Sequence, residues 1–100
     1  MSFLIAVDIG GTQIRAGCYP ADSLEPVRLN KISTRDPHES PLERLTGLIA
    51  SIWPQEGRVA AIAVAAPGPI DPETGVVLTA PNIPGWRDVP LRETVEDRFH

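Results

Sequence analysis

Residues 3–8 (Phe-Leu-Ile-Ala-Val-Asp) form an apolar run that ends in a carboxylate, and after Ile9-Gly10-Gly11-Thr12 a second run restarts at Gln13. Leu4 to Val7 reads as a buried strand. In 13–19, Ile14, Ala16 and Cys18 fall on one face while Gln13, Arg15 and Gly17 fall on the other, the period of two that marks a strand. The two runs predict a β-hairpin that turns at the glycines. Residues 27–33 (Val-Arg-Leu-Asn-Lys-Ile-Ser) alternate less regularly and predict a third, more exposed strand.

The period then changes. Ser40 caps, Pro41 sits at the first helical position and Glu43 completes a capping box. Leu42, Leu45, Leu48, Ile49 and Ile52 recur at helical spacing, Trp53 extends the stripe and Pro54 ends it. Residues 59–66 are wholly apolar and flanked by Gly57 and Pro67, which predicts a central strand buried on both faces, its alanines leaving room for a helix to pack close. A short strand is expected at 76–79. Pro90-Leu91 opens a last helix with Leu91, Val95 and Phe99 on one stripe. The expected class is α/β, a mixed sheet in the order β-β-β-α-β-(β)-α.

One hundred residues suit one domain, and 42% hydrophobic with 22% charged residues suits a globular one with a modest core. The net charge of −4, without a Lys/Arg cluster, argues against nucleic acid and anionic membrane as partners. No apolar run reaches membrane-spanning length, and no basic-then-apolar leader precedes the first strand. The single cysteine, Cys18, cannot form an internal disulfide, which fits a reducing compartment, and its place in a strand predicts a packed thiol. A cytoplasmic location is expected. His38 lies in a loop and His100 at the end, neither paired for metal ligation.

Two segments carry candidate chemistry. In the first, Gly10 and Gly11 allow positive φ and close approach of backbone N–H groups to an anion, and Thr12 adds a hydroxyl. Asp8 is placed to hold a hydrated Mg²⁺ bridging to that phosphate. A plain hairpin turn would use the same glycines. The second segment runs from Ala65 to Trp86 and is rich in Pro and Gly: six of the chain's eleven prolines fall within 67–90. Pro67-Gly68 ends a strand, 71–75 turns, and 80–86 forms a second shaped loop, making a concave corner at a strand's carboxyl end. Asn82 offers a donor and an acceptor to a hydroxyl-rich ligand. Trp86 walls that corner or belongs to the core.

Together the two segments resemble the ROK family (repressors, open reading frames and sugar kinases). Asp8-Ile9-Gly10-Gly11-Thr12 followed by Gly17 resembles its first phosphate motif. Pro67-Gly68, Ile70-Asp71, Gly75-Val76-Val77, Pro81-Asn82-Ile83-Pro84-Gly85-Trp86 and Pro90-Leu91 resemble its sugar-facing segment. The likeness runs over nearly the whole chain. It implies the actin-like ATPase (ribonuclease-H-like) fold, with residues 1–100 as an amino-terminal lobe that ends before the family's catalytic Asn-Asp segment. It implies transfer of the γ-phosphoryl of ATP, with Mg²⁺, to a hexose, glucose first. Asp8 would then lie near Mg²⁺ as an indirect ligand, and Gly10, Gly11 and Thr12 in the phosphate loop. Gly68, Pro69, Pro81 and Asn82 would line the sugar pocket.

By the same resemblance, the catalytic base, the sugar-gripping Glu-His-Glu set and the Cys/His zinc site belong to later segments. No catalytic residue is expected within these residues, and the chain alone is expected to be inactive. Asp71 and Asp88 sit in turn or cap contexts unsuited to a base. Two other readings stand beside the kinase lobe. One is a sugar-sensing ROK repressor, which would carry a DNA-binding module before the first strand. The other is a stand-alone ligand-binding module. With nothing following the last helix, the strand at 59–66 keeps an open edge, and a homodimer or self-pairing through that edge is expected.

Overall fold

The alternation at the head of the chain sets the sheet. In a computed structural model, which describes residues 1–100 apart from Pro37, Pro81, Asn82, Pro84, Gly85 and His100, β1 (Ser2–Ile9) and β2 (Gln13–Pro20) form the hairpin, and β3 (Arg28–Ser33) adds to its outer edge. Helix α1 (Pro41–Ser51) crosses over to β4 (Arg58–Ala65), which runs parallel to β1. The sheet order is β3-β2-β1-β4.

One face of this sheet is the core. Phe3, Ile5, Val7 and Ile9 of β1 join Ile14, Ala16 and Cys18 of β2 and Leu45, Leu48, Ile49 and Ile52 around α1 in a single buried cluster. Each large side chain buried there contributes roughly 1.5–3 kcal/mol. Burial also pushes the Cys18 thiol above its ordinary pKa, with Arg28 pulling the other way as the smaller effect.

Helix α1 begins as the sequence predicts, with Ser40 Oγ accepting from Glu43 N at 3.2 Å. The reciprocal half of a capping box, from Ser40 N–H to the Glu43 carboxylate, is not among the bonds of the described residues. Arg44 fastens the helix to the end of β3. It donates to the Ser33 carbonyl at 2.8 Å and pairs with Asp36 at 3.2 Å and Glu39 at 3.3 Å.

The strand at 59–66 departs from expectation. It is parallel to β1 and has the open edge expected of it, but it is not buried on both faces. Among the described residues no strand pairs with its far side. The register slips between Phe3 and Leu4, so that Phe3 opposes Val59 and Leu4 opposes Ala61. The slip puts Val59, Ile62 and Val64 on the core side, half-buried, and leaves Ala61, Ala63 and Ala65 exposed on the other. No described helix packs on those alanines. Leu4 and Ala6 share this open face, and Leu4 is 39% exposed.

A second correction concerns the segment before the last helix. Between the loop at 80–86 and Pro90 lies a strand that the alternation did not reveal. β5 (Val77–Thr79) pairs antiparallel with β6 (Arg87–Val89), so the order is β-β-β-α-β-β-β-α. Three residues are too few to show a period. Asp88, in β6, has φ of 53°, a left-handed conformation that carboxylate side chains tolerate better than most. Helix α2 (Leu91–Phe99) buries Leu91 and Val95, and its Phe99 ring stacks on Trp53 with centroids 5.1 Å apart.

Candidate anion-binding turn and the loop beside it

The turn between β1 and β2 is closed by Gly10 N–H donating to the Gln13 carbonyl at 2.8 Å. Positive φ is not how its glycines serve. The described glycines with positive φ are Gly57, Gly68 and Gly75, and neither Gly10 nor Gly11 is among them. Gly10 is needed for close approach, since a Cβ there would meet the Gln13 carbonyl oxygen at 3.0 Å. The carbonyls on this turn are held from inside the fold. Thr34 donates its Oγ1–H to the Gly10 carbonyl and its N–H to the Thr12 carbonyl, both at 2.8 Å. Among the described residues no backbone acceptor pairs with the N–H groups of Gly11 and Thr12, and the Thr12 side chain is exposed. Free N–H groups gathered on one short turn are what an anion needs.

Asp8 is exposed on the open face of the sheet, across from Arg15 on β2 and beside Ala65 on β4. No ion pair of Asp8 occurs among the described residues. Arg15 instead donates to Gln13 Oε1 at 3.4 Å. A solvated carboxylate with small Ala65 as neighbour, two residues before a turn with free N–H groups, fits a Mg²⁺ ion that keeps most of its waters and bridges to a phosphate. Among the described residues no three His, Cys, Asp or Glu side chains gather as a metal-binding group.

Because Asp8 pairs with Ala65, the chain leaving β4 starts its Pro-rich path at the same end of the sheet as the turn. Gly68 has φ of +80°, and a Cβ there would lie 1.9 Å from the Thr79 carbonyl oxygen. The glycine therefore lets this loop lie directly against the end of β5. The Pro69 carbonyl accepts from Leu78 N–H at 2.9 Å and seals the contact. Pro81 and Asn82, the other two expected sugar-wall residues, lie outside the described residues. Their flanks are tied by Ala80 N–H donating to the Trp86 carbonyl at 3.0 Å. Trp86 is 4% exposed and belongs to the core.

The two aspartates weighed as bases are engaged in backbone shape. Asp71 Oδ1 accepts from Glu73 N–H at 2.9 Å in the turn at 71–75, which Arg92 also grips through the Glu73 carbonyl at 2.6 Å. Asp88 sits at the left-handed position already described. Sequence reasoning missed two residues near the turn. Thr34 had no signal, being one hydroxyl at the end of a polar strand. Arg15 had one, since it is two residues past the turn on Asp8's face of the hairpin.

Comparison with known proteins gives this geometry a context. The ROK family model matches residues 4–100. The glucokinase of Thermotoga maritima is 33% identical over 101 residues, covering 95% of this chain and 30% of that protein. A putative xylose repressor of a Caldicellulosiruptor species is 41% identical over 46 residues, 46% of this chain and 11% of that protein. Among solved structures, a ROK family glucokinase from Streptomyces griseus, in complex with glucose and AMPPNP, superposes with a TM-score of 0.80. It is 33% identical and covers 96% of this chain and 30% of that one. The chain thus spans about a third of the length of these sugar kinases. With the family model matched from the first strand to the last helix and the fold shared with ROK sugar kinases of the actin-like ATPase class, the chain belongs to the ROK family.

Proposed function

We propose that this chain is the amino-terminal lobe of an ATP-dependent sugar kinase that phosphorylates a hexose, with glucose as the first substrate to try. The observation that carries the reading is the turn at Gly10 to Thr12. Among the described residues the N–H groups of Gly11 and Thr12 have no backbone partner, the carbonyls of Gly10 and Thr12 are tied back to Thr34, and a solvated Asp8 stands beside the turn. In this reading Gly10, Gly11 and Thr12 take the nucleotide's phosphates, and Asp8 orients the waters of Mg²⁺. Gly68, Pro69, Pro81 and Asn82 form part of the sugar wall. When bound, Mg²⁺ and ATP supply the transferable phosphoryl group and neutralise the charge that develops on it. With Asp71 held in a turn and Asp88 at a left-handed position in β6, the group accepting the sugar's proton lies elsewhere in a longer protein. The cytoplasm, where ATP is available and a lone Cys18 stays reduced, is the proposed location.

The test is a coupled ADP-release assay with ATP, Mg²⁺ and a panel of hexoses. Sugar-dependent release is expected from the longer protein and none above background from the 100-residue chain. Turnover by the chain alone would sink the lobe reading, and a longer protein inert on every hexose would sink the kinase. The partial match to a putative xylose repressor keeps sugar sensing as the second reading. Sugar binding without ADP release would favour it.

The free edge of β4 supports self-association of the isolated chain. Every residue from Val59 to Ala65 is apolar, and the groove of about 570 Å³ beside them is lined by Trp53, Ile62, Val64, Leu91, Val95 and Phe99. A second copy pairing edge to edge would satisfy the backbone groups there and cover that apolar surface. Light scattering on a sizing column should show a dimer that Ala63→Lys returns to monomer. A wild-type chain monomeric at high concentration would end this idea.

A further inference from the structure

Thr34 is the one buried polar residue among those described, 0% exposed, and both of its donor groups are spent on the same short turn. A trans peptide is planar, with its C=O and N–H pointing opposite ways. Holding the Gly10 carbonyl toward buried Thr34 therefore turns the Gly11 N–H away from it, toward solvent. The bond to the Thr12 carbonyl continues the β2–β3 ladder past Gln13 and Ser33 and so anchors the far side of the turn to the sheet. The turn itself lacks the geometry to do this. It is closed by a single backbone bond, Gly10 to Gln13, and two adjacent glycines leave its peptides free to rotate. Thr34 in turn is anchored, because Arg44 from α1 bonds the carbonyl of the preceding residue, Ser33, at 2.8 Å.

We propose that Thr34 is a positioning residue for the anion-binding turn: its hydroxyl fixes the Gly10–Gly11 peptide so that the Gly11 N–H faces a nucleotide phosphate, while its N–H anchors the far side of the turn at Thr12. The inference rests on the nucleotide reading of the turn given above. Without the hydroxyl, the Gly10–Gly11 peptide must be oriented at the moment of binding, and part of the phosphate affinity is lost to ordering it.

The experiment is a Mg·ATP titration of the ¹⁵N-labelled chain, followed by amide resonances, in wild type, Thr34→Val, Thr34→Ser and Thr46→Val. In wild type the Gly11 amide should shift most. Thr34→Val keeps the shape and loses the hydroxyl. It should weaken Mg·ATP binding about 10-fold, as expected for one lost hydrogen bond, and speed Gly11 amide exchange in the free chain. Thr34→Ser should restore both. Thr46→Val removes a helix hydroxyl that, among the described residues, bonds the Glu43 carbonyl alone, and it should leave affinity unchanged.

Wild-type affinity in Thr34→Val, or equal losses in the serine and valine variants, would overturn the inference while leaving nucleotide binding intact. No Mg·ATP shift at all in wild type would overturn the nucleotide reading, and this inference with it. Should Thr34→Val fail to fold, the wild-type titration still decides. Shifts centred away from Gly11 and Thr12 would overturn the proposal, and shifts centred on them with rescue-level binding in Thr34→Ser would support it.

Discussion

Replacing Gly68 with alanine should destabilise the chain by about 2–5 kcal/mol. The sum has two parts: roughly 1–2 kcal/mol for an L-residue held in the left-handed region and roughly 1–3 kcal/mol for overpacking. The overpacking is severe because the new methyl would lie 1.9 Å from the Thr79 carbonyl oxygen, a backbone atom that no rotamer change can move. The loop at 67–69 would have to lift from the end of β5, breaking the bond from Leu78 N–H to the Pro69 carbonyl. Against a total of about 5–15 kcal/mol for a domain this size, that is a large fraction. Gly47→Ala is the matched control. It lies in α1 with nothing within 4 Å of its would-be Cβ, and should stabilise by roughly 0.5–1 kcal/mol through helix propensity. Urea unfolding of the three proteins checks both. A Gly68→Ala midpoint equal to wild type would show that this loop does not need its close contact.

The second large effect is functional. Asp8→Asn in the longer protein should lower kcat/KM for phosphoryl transfer by about 10–100-fold, the usual cost of removing a group that orients a metal through its waters. The fall should come with a raised Mg²⁺ requirement, because asparagine keeps the shape but loses the charge and replaces one accepting oxygen with a donor NH₂. Stability should barely move, since Asp8 is exposed and makes no ion pair among the described residues. The discriminating measurement is a Mg²⁺ titration of initial rate beside a thermal melt. Unchanged Mg²⁺ dependence would remove Asp8 from the metal's surroundings. A loss of activity matched by a lower melting temperature would make its role structural.

Where periodicity was long, the strands and helices were legible. Eight-residue strands and the eleven-residue helix repeat their pattern several times, and Ser40 and Pro41 mark the helix start chemically. β6 escaped because three residues, one of them the left-handed Asp88, carry no alternation. The candidate turn was visible as Asp8-Ile9-Gly10-Gly11-Thr12, yet the reason for its glycines was misread. Conformational permissiveness is a property of the residue, but whether it is used depends on what stands nearby, here the Gln13 carbonyl.

By itself, then, the sequence determined which residues alternate, where the helices start, and that a carboxylate closely precedes a turn of two glycines and a threonine. These are local properties, written in neighbouring residues. Only the tertiary structure decided that one face of 59–65 is left open, since an apolar run reads alike whether one face or both are covered. Only the tertiary structure placed Thr34, distant in sequence, beneath the Gly10–Thr12 turn, and Thr79 against Gly68. Contacts between residues far apart in the chain are chosen by strand register and by the packing of the whole core, and no local pattern encodes them.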